Sequence, residues 1–173
     1  MNEHAILTLL GIAGVATTFS GFTGVVAVFG SRALGKWAPE ERTRMINMLI
    51  LSLAVCLFSF LPVTEELLKI SENVIWMSSS LCLGVFCGVY FIYAFRTTHR
   101  LLHIQHRRIV PWVRVAFMTC LPLAVLFQIL NVWGLSMERG PGPLVAGLVL
   151  TLALAGIQFA YLVLGPLRGA ESK

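Results

Sequence analysis

Five apolar stretches without a charged side chain dominate this sequence, at residues 5–29, 45–63, 74–95, 115–134 and 144–167. A helix needs about 20 residues to cross a hydrocarbon core about 30 Å thick. Lipid supplies no partner for a free backbone N–H or C=O, so only helices and closed barrels cross it. These runs lack the apolar–polar alternation of barrel strands. The expected fold is therefore all-α, a polytopic membrane protein formed by one bundle of five transmembrane helices over residues 1–173.

Composition agrees with that reading. Hydrophobic residues make up 57% of the chain and charged ones only 12%, against about 25% charged in a soluble domain. Too little polar surface remains to cover a globule in water. The start, Met1-Asn2-Glu3-His4, brings no Lys or Arg before the first apolar run. That run is expected to stay as a span, not to act as a cleaved signal peptide.

The basic residues fix an expected sidedness. Arg32, Lys36, Arg42 and Arg44 lie in the first loop, Arg96, Arg100, Arg107, Arg108 and Arg114 in the third, and Arg168 and Lys173 in the tail. Only Lys69 and Arg139 fall on the opposite side. Eleven against two places the amino terminus outside and the carboxyl terminus in the cytoplasm by the positive-inside rule. The net charge of +5 thus reflects topology, and nucleic acid is not an expected partner.

Loop chemistry marks several boundaries. Pro39 suits a first helical position, and Glu40 and Glu41 meet the positive end of the helix dipole. The second helix should begin there and close or bend at Pro62. Thr64 to Lys69 then reads as a separate short interfacial turn, with Ser71 capping the third span. Trp37, Trp76, Trp112 and Trp133 fall near span ends, as an aromatic belt requires.

Small residues crowd the first span. Ile12, Val15, Phe19, Phe22 and Val26 form one narrow bulky stripe, while Gly14, Thr17, Thr18, Ser20, Gly21 and Gly24 lie around the rest. Spacing of the small-x-x-x-small kind recurs at Ala13/Thr17/Gly21 and Ala16/Ser20/Gly24. Such faces let helices approach closely where lipid offers no hydrophobic drive. The leading expectation puts this span at the centre of the bundle. Its hydroxyls lining a water-filled path is the sharper alternative, and a self-association face is the third. Elsewhere at membrane depth, Ser78, Ser79, Ser80, Gln128, Asn131 and Gln158 are expected to hydrogen-bond between helices. Glu65 and Glu66 are expected at the outer interface.

Chemistry is sparse. Cys56, Cys82, Cys87 and Cys120 lie in apolar blocks without C-x-x-C spacing, and read as small hydrophobes. His99, His103 and His106 share one helical face at i, i+4 and i+7, a spacing that lets two imidazoles share a metal ion. The adjacent cluster Arg96, Arg100, Arg107 and Arg108 disfavours a dication and suits anionic lipid headgroups instead. No metal is favoured there, no cofactor is expected, and no catalytic motif emerges.

The run Ser20-Gly21-Phe22-Thr23-Gly24-Val25-Val26-Ala27-Val28-Phe29-Gly30, followed by Trp37-Ala38-Pro39-Glu40-Glu41-Arg42, resembles the first third of uncharacterised small bacterial five-span membrane proteins. The resemblance implies a bacterial cytoplasmic membrane and carries over no activity. Five spans also match the translocator protein of tryptophan-rich sensory type, but that family's aromatic-and-proline motif is missing from the first cytosolic loop. The expected function is that of a non-enzymatic membrane protein that self-associates as a homo-oligomer and forms a channel or conduit for an ion or small solute. The alternative is a membrane-embedded scaffold subunit whose basic loops dock a protein or anionic lipid. A lipid-modifying enzyme comes third.

Overall fold

The structure, a computed structural model, describes residues 1–33, 39–105, 111–134 and 139–170, with side chains described within 1–26, 42–97, 113–134 and 139–162. The helices are α1 (Glu3–Ala33), α2 (Pro39–Leu67), α3 (Glu72–Gln105), α4 (Pro111–Trp133) and α5 (Pro141–Ala170). Each contains a segment long and apolar enough to cross a membrane. Every helix outruns its apolar block at the amino-terminal end, and all but α4 do so at the carboxyl-terminal end, because polar residues continue the hydrogen-bond ladder beyond the apolar run.

Helix ends follow local chemistry. Asn2 caps α1, its side-chain oxygen accepting from the His4 amide at 3.2 Å. The Ser71 carbonyl receives the Val74 and Ile75 amides and starts α3, as expected from sequence. At the end of α2, the Ile70 amide reaches the Glu65 carbonyl and the Lys69 amide the Glu66 carbonyl. This is a Schellman cap, with Lys69 in the left-handed position at φ 57° where glycine is usual. Gly134 ends α4 in the same conformation, φ 66°.

Two expectations are corrected. Pro62 neither closes nor separates the second span; α2 runs through it, and Thr64 to Leu67 are its last turn. Proline inside a helix costs about 3 kcal/mol. Neighbouring helices hold that turn, since Glu65 is bonded to α3 and Glu66 to the chain start. The second correction concerns α1, which is not the bundle centre. Among the described residues α1 packs only on α2 and α5, whereas α5 packs on all four other helices. The hub is α5. Helices α1, α2, α3 and α4 form an arc around it, open between α1 and α4.

Burial explains the reversal. Ala5, Leu9, Ala13 and Ala16 turn into the bundle, and Phe19 and Phe22 both pack on Phe159 of α5. Phe19 and Phe22 of the bulky stripe and the small residues Ala13, Ala16 and Thr23 thus hold α1 to its neighbours, while Val15 is exposed along with Gly11, Gly14, Thr17, Thr18, Gly21 and Gly24.

Candidate functional site

The chain start, the end of α2, the start of α3, the end of α4 and the start of α5 meet at one end of the bundle. The Met1 ammonium lies 3.0 Å from Glu66 Oε1 and 4.0 Å from Glu72 Oε2. Its hydrogen bond to Glu66 raises its pKa, burial opposes this, and the charges of Glu66 and Glu72 reinforce it. The Ser78 hydroxyl stands 2.8 Å from both Glu65 carboxylate oxygens, and Ser79 donates to Oε2 at 3.2 Å. Ser78 has one proton and also lies 2.8 Å from the Val74 carbonyl, so its bond to Glu65 competes with one to its own helix. Glu65, in the last turn of α2, is thus engaged by α3.

Inward from this end, buried polar groups follow one another along the seam of α3, α4 and α5. Asn131 donates to Ser80 Oγ at 2.7 Å and to the Gly140 carbonyl at 3.2 Å, and its oxygen accepts from the Gly140 amide. One turn along α4, Gln128 Nε2 donates to the Pro143 carbonyl at 2.9 Å. Two glycines make room for it. A Cβ on Gly147 would collide with Gln128 Nε2, and one on Gly84 would stand 3.1 Å from Gln128 Cβ. Deeper still, Cys87 Sγ and Thr151 Oγ are 3.7 Å apart. Tyr90 follows, stacked on Phe86 and near Phe117. The interhelical bonding expected of Ser80, Gln128 and Asn131 is present. The glycine notch around Gln128 was not anticipated, although an amide facing two intraspan glycines was its available signal.

The first-span candidates lie elsewhere. Gly14, Thr17, Thr18, Gly21 and Gly24 are exposed, and Ser20 is half-buried. A Cβ on Gly11, Gly14, Gly21 or Gly24 would meet no atom within 4 Å. Thr17 donates to the Ala13 carbonyl at 2.8 Å and has Cys56 Sγ of α2 at 3.5 Å, while Thr18 donates to the Gly14 carbonyl at 3.0 Å. Leu7, Gly14 and Gly21 interleave with Gly11, Thr18 and Val25, so the exposed face carries a seven-residue repeat with small residues in the middle. That period suits a left-handed helix pair.

At the opposite end Arg42, Arg96 and Arg114 are exposed, and the Arg44 guanidinium lies 5.3 Å from the Tyr161 ring centroid. The backbone of His99, Arg100 and His103 continues α3, but their side chains lie outside the described residues. His106, Arg107 and Arg108 fall outside them entirely. Among the described residues no group of three metal-ligating side chains converges.

Fold and site together show an all-helical bundle with five helices long and apolar enough to cross a membrane, which suggests a multi-pass membrane protein, with a buried polar row between α3, α4 and α5 and one exposed small-residue helix face. No protein-family model matches the chain, and no curated protein or solved structure is significantly similar to it.

Proposed function

We propose that this is a non-enzymatic protein of the bacterial cytoplasmic membrane, amino terminus outside and carboxyl terminus inside, that works as a homo-oligomer conducting an ion or small solute. The open face of α1 carries the reading. A helix exposing Gly11, Gly14, Gly21 and Gly24 to lipid gives up van der Waals contact that a second helix would restore. Thr18, exposed on that helix with its proton held by the Gly14 carbonyl, supplies an acceptor to a path between copies. Purified protein in liposomes should conduct above protein-free controls, and Thr18→Val should reduce flux with association retained. Verified oligomers without flux would end the conduit reading. Sidedness is tested by impermeant labelling of single cysteines on whole cells. Ser136→Cys should react and Thr97→Cys should not, and the reverse result would invert the topology.

The exposed guanidiniums Arg42, Arg96 and Arg114 at one end favour a second reading, a scaffold that docks an anionic surface there. On that reading Arg100→Gln with Arg107→Gln weakens binding to anionic liposomes, and changing His99, His103 and His106 to Gln leaves it intact. Tight zinc binding by the wild type, lost in the triple histidine variant, would instead assign the histidine stripe to metal.

A further inference from the structure

Two connections meet where the buried polar row reaches the end of the bundle, and they are held differently. The turn between α4 and α5 is fixed to the row itself. Asn131 shares two bonds with Gly140 and one with Ser80, and Arg139 donates to the Val132 carbonyl at 3.1 Å. At the end of α2, Leu67 and the following Leu68 are 79% and 69% exposed, so apolar packing does little to anchor the tip. Among the described residues, the hydrogen bonds that tie this tip to other elements come from two carboxylates, Glu65 to Ser78 and Ser79 and Glu66 to the Met1 ammonium.

The same stretch is loosened along its own axis. Pro62 has no N–H, so the Phe58 carbonyl is left without its helical partner. Ser59 bonds back to the Val55 carbonyl at 2.8 Å and Thr64 to the Phe60 carbonyl at 3.0 Å, contacts of a kind that bend helices. A break in the ladder bracketed by two such hydroxyls is where a helix gives most easily. Against the turn beyond it, Ser79 is fully buried, its hydroxyl 3.2 Å from Glu65 Oε2. Ser80, the next residue, is equally buried and accepts from Asn131, so the covered hydroxyls lead directly into the interior row.

We propose that residues 63–67 form a lid over the serines of α3, with Pro62 as its hinge and Glu65 as its latch. Closed, as in this structure, the carboxylate accepts from Ser78 and Ser79. Ser78 has a second acceptor at 2.8 Å in the Val74 carbonyl of its own helix, so release of Glu65 leaves that hydroxyl bonded. Opening turns the tip of α2 about Pro62 and bares Ser79 and the entrance to the row at Ser80. The device lies within one chain and depends neither on self-association nor on conduction.

Hinge and latch substitutions should move one rate in opposite directions. The reporter is Ser79→Cys in a chain whose four native cysteines are replaced by alanine, reacted in detergent with a water-soluble maleimide. Adding Glu65→Gln, which keeps the shape and gives up the charge-assisted bond, should speed the reaction about fivefold. Adding Pro62→Ala instead, which restores an amide donor to the Phe58 carbonyl, should slow it about tenfold. Any other pattern, equal rates above all, would overturn the proposal. Hydrogen exchange tests it with Ser79 in place. The amides of residues 64–67 should exchange as one unit, faster than those of residues 50–58, and Glu65→Gln should speed all of them by the same factor. Equal protection on the two sides of Pro62, or an increase graded towards Leu67 as in simple fraying, would overturn it as firmly.

Discussion

Glycines do opposite work in two parts of this molecule. Gly84 and Gly147 face Gln128 so closely that a methyl group on Gly147 collides with the amide. Gly11, Gly14, Gly21 and Gly24 on α1 face nothing within 4 Å. Both sets lie in apolar spanning helices, so hydropathy treats them alike. The first set shapes the inside of a single chain, where an amide must fit between three helices. The second shapes an outside, where the proposed function places another helix.

Substitutions that fill the glycines should separate the two sets, and the largest effect belongs to the core. Gly147→Leu should yield no folded protein, because three helices would have to part around Gln128. The milder Gly147→Ala should lower stability by about 1–3 kcal/mol, read as a fall in melting temperature. Combined with Gln128→Ala it should cost less than the sum of the two singles. Additive costs would mean that the notch does not exist.

On α1 the expectation reverses. Gly14→Leu and Gly21→Leu should leave the melting temperature of the isolated chain unchanged and weaken self-association at least tenfold, or about 1.4 kcal/mol. Energy transfer between labelled copies in liposomes measures this. A loss of folding instead would place α1 inside the bundle after all.

Smaller effects sharpen the core side of the contrast. Asn131→Leu strands Ser80 and Gly140 of neighbouring elements. Interhelical hydrogen bonds in membranes average about 0.6 kcal/mol with a maximum of about 1.7. Asn131, with three such contacts, should fall near the top of that range in thermal unfolding. Smallest is Lys69→Gly. Left-handed backbone costs a non-glycine residue about 1–2 kcal/mol, and glycine's extra freedom in the unfolded chain offsets up to about 1 kcal/mol. The net gain should be about 0.5 kcal/mol, and a loss would show that the side chain of Lys69 contributes a contact of its own.

What sequence could and could not reveal divides along the same line. Runs free of charge marked all five helices, and Pro39 and Ser71 marked two of their starts. Polarity also marked Asn131 and Gln128 as interhelical donors, because an amide at membrane depth must bond to something. The place of α1 was misread for a physical reason. In water an apolar face points to the core, but lipid is as apolar as the core, so periodicity no longer distinguishes inward from outward. Small residues therefore announce a close approach without saying to which helix. The turn after Pro62 was misread as a separate element because the bonds that hold it, from Glu65 to Ser78 and from Glu66 to Met1, are long-range.

The central claim is that α1 presents its small face to a second copy. Cysteine cross-linking in native membranes tests it most directly, with Thr18→Cys and a control at Val89→Cys, each on a background lacking the four native cysteines. Thr18 lies mid-way along the open α1 face, and Val89 is exposed on α3, which among the described residues does not pack on α1. The account expects an oxidant to convert the Thr18→Cys chain to a disulfide dimer and to leave Val89→Cys largely monomeric. Equal cross-linking at both positions, or none at Thr18→Cys, would contradict it.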